Sequence, residues 1–142
     1  MRIFLSFAIE DSDFAQMVAD ALETAGHLVL MDAGGIPGGD NWRLEVGRAI
    51  HHSDWFVVIY SISAKDSLKR KLEFIFALAN EVPILYVLTE PTEVIEDDIS
   101  RVLDISINPL SGVKNIVDFF KNPPRLIERV EKGAEPTAED FV

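Results

Sequence analysis

Short apolar runs at residues 3–7, 28–31, 55–60 and 83–88 alternate with stretches whose apolar residues recur at helical spacing. Such runs have no polar face, so each strand must be covered on both sides, which is what a parallel sheet between two helical layers supplies. The expected class is α/β. Asp11 and Ser12 offer N-caps to a first helix whose inner face is Phe14, Met17, Val18, Ala21, Leu22 and Ala25, closed by Gly26. Residues 33–39 hold four glycines and a proline, so regular structure resumes only after Asp40, in a helix with Trp42, Val46, Ala49 and Ile50 inward. A third helix spans about Ser67 to Asn80. Its wheel puts Leu68, Leu72, Ile75 and Ala79 in the core, leaves Glu73 outside, and makes Phe74 and Leu78 an apolar flank open to self-association. Residues 90–101 read as an acidic loop with a short helix, and 103–107 as a weak fifth strand. A last helix starts near Gly112 with Ile116 and Phe120 inward, breaks at Pro123 and Pro124, and resumes with Leu126, Ile127 and Val130.

A chain of 142 residues closes one core, expected over 1–132, with 133–142 as a frayed tail. Thirteen Lys and Arg against 24 Asp and Glu give a net charge of -11, which argues against nucleic acid as a partner. The absence of cysteine removes disulfides and thiolate chemistry, and the start MRIFLSF lacks a charged leader. No apolar stretch nears the roughly 18 residues that span a bilayer, so a cytoplasmic protein without a membrane partner is expected.

Ligands of a parallel sheet lie at the carboxyl ends of its strands, and several known chemistries fail there. Residues 8–13 hold no glycine and three carboxylates, against a dinucleotide fold. Gly34 and Gly39 have phosphate-loop spacing, but Asp40 and Asn41 stand where Lys and Ser or Thr are needed. A phosphoacceptor receiver could use Glu10 and Asp11, yet Tyr60-Ser61 and Leu88-Thr89 occupy the places of its other Asp and its Lys. His27, His51 and His52 lack ligand spacing, so neither a metal nor a bound cofactor is expected.

Several ordered motifs between Ile3 and Leu88, about two thirds of the chain, resemble the Toll/interleukin-1 receptor (TIR) domain family of prokaryotic type. Ile3-Phe4-Leu5-Ser6-Phe7 followed by Glu10-Asp11 is similar to its first box. Asp32, Ile36, Gly39-Asp40-Asn41-Trp42 and Arg43 match its second, with Pro37 one residue early, and Ala49-Ile50-His51-His52-Ser53-Asp54 matches the lead into strand three. Relatives that hydrolyse NAD+ carry Ser-x-Trp-(Cys or apolar)-x-x-Glu-(apolar)-x-x-Ala. Here Ser67, Glu73 and Ala77 are in register, with Lys69 in place of the tryptophan and Arg70 in place of the small residue.

The resemblance implies a flavodoxin-like three-layer sandwich and an NAD+ glycohydrolase or cyclase that releases nicotinamide. Glu73 would be its catalytic carboxylate, Ser6, Phe7, Ala8, Ile36, Ser67 and Lys69 would bind substrate, and NAD+ would be substrate rather than cofactor. It further implies a cytoplasmic immune component that signals or depletes NAD+, a homo-oligomer formed through the loop between Gly34 and Gly39 and the third helix, and a partner effector or sensor protein. The plain alternative for Glu73 is a solvated side chain paired with Lys69 one turn earlier. Lys65, Lys69, Arg70 and Lys71 form the dense basic cluster, suited to a pyrophosphate or to a solvated helix face. A non-catalytic adaptor acting by self-association is the competing function.

Overall fold

Strand β1 (Arg2–Ser6) has β2 (Leu28–Leu30) on one side and β3 (Trp55–Tyr60) on the other, and β4 (Ile84–Leu88) and β5 (Arg101–Asp104) follow beyond β3. All four pairings are parallel, in the order β2-β1-β3-β4-β5. This computed structural model describes residues 1–31, 40–91 and 101–123, without the side chains of 40–43 and 101. The expected loop between Gly34 and Gly39, the short helix within 90–101, the helix resumed at Leu126 and the frayed tail lie outside the described residues.

Alternation along each strand splits the core in two. Ile3, Leu5, Val57, Ile59, Leu85 and Val87 face α1 (Ser12–Thr24) and α5 (Pro109–Lys121). Phe4, Phe56, Val58, Tyr60, Ile84 and Tyr86 face the layer of α2 (Asp40–His51) and α4 (Leu68–Ala79). The flavodoxin-like sandwich is therefore as expected, with β3 buried along its whole length. Gly26, at a φ of 98°, turns the chain out of α1 as its position suggested.

In the first helix Met17 and Ala25, expected inward, are exposed, and three further elements differ from the sequence reading. The fifth strand is Arg101–Asp104, not 103–107, because the Asp104 carboxylate accepts the Ser106 N–H at 2.9 Å and turns the chain. Ile105 then drops into the core while Ile107 is fully exposed. Helix α5 begins at Pro109 rather than near Gly112, capped by Asn108, whose side chain accepts the Ser111 N–H. Gly112 sits inside the helix, pressed against Ile105, where any Cβ would collide.

The third correction concerns α4. Leu68 and Ile75, expected in the core, are 60% and 54% exposed, and Ala79 is exposed as well. The buried face is Lys69, Arg70, Glu73, Phe74, Phe76 and Ala77. Phe74 belongs to the core and Leu78 packs against it, so neither forms the self-association flank inferred from the wheel. A hydrophobic wheel assumes that charged side chains face water; three of them here face one another and the main chain instead.

Candidate active site

Strand alternation points Phe4 and Ser6 toward the same layer, so a hydroxyl at the carboxyl end of β1 meets α4. Ser6 Oγ donates to Glu73 Oε1 at 2.8 Å. Lys69 Nζ donates to the same oxygen at 3.3 Å and to the Phe7 carbonyl oxygen at 3.3 Å, and lies 4.3 Å from the centroid of the Phe7 ring. Glu73 is 0% exposed and Lys69 3%. On a surface this Lys-before-Glu pair would be worth a few tenths of a kcal/mol, but burial makes each charge depend on the other.

The start of α4 is set by a break after the short helix α3 (Ile62–Asp66). Ser67 is extended there, and its hydroxyl accepts the Arg70 N–H at 3.2 Å as an N-cap. Arg70 Nε donates to the Ala64 carbonyl oxygen at 2.8 Å, and its guanidinium lies 5.3 Å from the Tyr60 ring, which ties α3 to α4. At the other rim Ser61 donates to the Asp11 carboxylate and accepts the Ala64 N–H at 3.1 Å. Burial raises the Asp11 pKa above 3.8 against the lowering effect of the Ser61 bond, with Glu90 and Glu10 adding to the rise.

Between these rims, where β1 and β3 end, lies a cleft of about 520 Å³. This is the switch point of the sheet, from which successive crossovers run to opposite faces. Ile9 and Glu10 line it from the β1 side, Ile62, Ser63 and Asp66 from α3, and Ser67, Leu68 and Lys69 from the start of α4. Glu73 does not line it; Lys69 both lines the cleft and touches Glu73.

Four of the expected site residues, Ser6, Phe7, Lys69 and Glu73, thus converge. Ser67 lines the cleft but spends its hydroxyl on capping α4, Ala8 is buried before the 3-10 turn at Ile9–Asp11, and Ile36 lies outside the described residues. The basic cluster is not one surface: Lys69 and Arg70 turn inward, while Lys65 is half-buried and Lys71 exposed. Sequence reading missed the Arg70 clamp, the Phe7 carbonyl and the apolar rim of Ile9, Ile62 and Leu68, none of which carries a local pattern. Among the described residues no three acidic or histidine side chains converge as a metal site would require, and no helix is long and apolar enough to cross a membrane.

The family model of the TIR domain matches residues 3–130, nearly the whole chain. The chain belongs to the TIR domain family. Among solved structures this TIR domain is similar to the CMP N-glycosidase BcmB of Clostridium botulinum, with a TM-score of 0.61 and 17% identity over 82% of this chain and 98% of that one. At that identity the likeness speaks for the fold. No curated protein matches the chain.

Proposed function

We propose that this TIR domain breaks the bond between ribose and base in a nucleotide, with NAD+ as substrate and nicotinamide as leaving group. The observation that carries the reading is Glu73: a fully buried carboxylate fixed by a serine and a lysine behind the switch-point cleft. Buried charge held at such a place is where catalytic carboxylates are found. Nicotinamide leaves NAD+ as a neutral molecule, so the step needs stabilisation of the ribosyl cation rather than a proton. Glu73 supplies the negative charge, an effect of about 3 kcal/mol, and the Ser6 hydroxyl orients it. Substrate reaches Glu73 by displacing the Lys69 ammonium from Oε1, and water, or a hydroxyl or base of the same molecule, then captures the cation. The similar structure is of a protein named for cleaving a ribose–base bond, which adds support at the level of reaction class.

The setting proposed with it is a cytoplasmic prokaryotic immune response, in which copies associate through the loop between Gly34 and Gly39 and the exposed face of α4 that carries Ile75, rather than the buried Phe74 flank, in company with an effector or sensor. One observation favours a different reading: Lys69 closes over Glu73 where NAD+-cleaving relatives carry tryptophan, as a non-catalytic adaptor would tolerate. Incubation with NAD+ and with CMP, following free nicotinamide and cytosine, separates the two. Glu73→Gln should lower release by about 10²-fold or more. Unchanged release by that variant would end the assignment to Glu73, and a folded wild type that cleaves neither substrate while self-associating would establish the adaptor.

A further inference from the structure

Cleavage of NAD+ makes no use of an ammonium beside the catalytic carboxylate, yet this site has one. Lys69 Nζ is 3.3 Å from Glu73 Oε1 and 3.3 Å from the Phe7 carbonyl oxygen, at the cleft wall, in a side chain that is 3% exposed. A pyridinium departs as a neutral molecule, whereas an uncharged base departs as an anion unless it receives a proton. On the role proposed above for Glu73, we propose that Lys69 is the general acid of a second activity, the hydrolytic release of an uncharged, amino-bearing base from a nucleoside or nucleotide.

The C1′–N bond breaks with its electron pair passing to the base, and Nζ gives the base a proton. Glu73 faces the ribosyl cation, water adds to C1′, and the proton lost by that water returns to the Lys69 amine. The net reaction consumes one water and needs no oxidant or cofactor. Its timing follows from charge: as C1′ becomes positive, one carboxylate faces two cations, and moving the Lys69 proton to the base relieves their repulsion. The rest of the cleft suits such a base. Ile9, Ile62 and Leu68, which are 54%, 61% and 60% exposed, offer apolar surface to a flat ring, and Glu10 and Asp66 can accept from an amino group.

The test compares CMP with its N3-methylated form, whose base is already cationic and leaves without a proton. Lys69→Met should reduce cytosine release by about 10²-fold or more and methylcytosine release by about tenfold or less. Lys69→Arg keeps a cation beside Glu73 but holds its proton, so it should cleave the methylated substrate and fail on CMP; it also keeps the test open if the methionine variant does not fold, as thermal melting will tell. Equal losses on both substrates would overturn the proposal and leave Lys69 as a residue that positions Glu73. A wild type that cleaves NAD+ but not CMP would overturn the second activity alone, and one that cleaves none of the three would overturn it together with the role of Glu73.

Discussion

At the scale of single residues, the Lys69–Glu73 pair separates what a sequence can say from what only packing decides. The register of Ser67, Glu73 and Ala77 singled out Glu73, but spacing gives no sign that the pair is buried, with Ser6 as a third member. The consequence is energetic. An exposed pair of this order would be nearly neutral to remove, whereas Lys69→Met leaves a carboxylate buried without its cation and should cost about 3 to 5 kcal/mol. Adding Glu73→Gln to that variant should recover much of the loss. Urea unfolding of the two single variants and the double one measures the coupling, and additive losses would mean that the charges do not stabilise each other. Asp11 makes the opposite electrostatic case. Its pKa is raised in the fold, chiefly by burial, so the folded state holds the proton more tightly than the unfolded chain. Its stabilising contribution is therefore present at acid pH and lost as pH rises from 3.8 through the raised value. Asp11→Asn should remove that slope and raise the urea midpoint near neutrality; a midpoint that falls at neutral pH would show that the charged carboxylate is needed by Ser61.

At the scale of elements, the buried central strands were legible, whereas the fifth strand and the inner face of α4 were not. A buried parallel strand needs only an apolar run, and 55–60 became β3 without adjustment. A helix face must be chosen among several, and in α4 the leucines and isoleucine misled because Lys69, Arg70 and Glu73 found partners inside. Paired substitutions test the corrected phase. Phe74→Ala should cost about 3 to 5 kcal/mol, since it opens a cavity between α4 and Tyr86, whereas Ile75→Ala should change stability by less than about 0.5 kcal/mol. Comparable losses would restore the original wheel. The start of α5 was misplaced because Gly112 resembles a helix boundary. Its role is close approach to Ile105, and Gly112→Ala should destabilise by about 1 to 3 kcal/mol through overpacking, although alanine is the better helix former.

At the scale of the whole molecule, topology places the cleft and net charge governs what approaches it. The switch point between β1 and β3 follows from the strand order, and the alternation of elements along the sequence already pointed there. The electrostatics did not follow, because the basic run at the start of α4 looked like a landing site for phosphates. Lys69 and Arg70 are instead buried, Lys69 with its charge held by Glu73, and the exposed charged groups that line the cleft are Glu10 and Asp66, in a chain of net charge -11. Encounter with an anionic nucleotide is therefore opposed by the field of the protein, and salt should assist it. Raising ionic strength from about 0.01 to 0.15 M shortens the screening length from about 30 to 8 Å. If the proposed cleavage of NAD+ is the activity, kcat/KM for it should rise over that range, and Glu10→Gln, which removes one rim carboxylate, should raise the low-salt value and flatten the dependence. Were substrate phosphates instead received by exposed lysines, kcat/KM would fall with salt in both proteins, and the landing site would have to be sought away from this cleft.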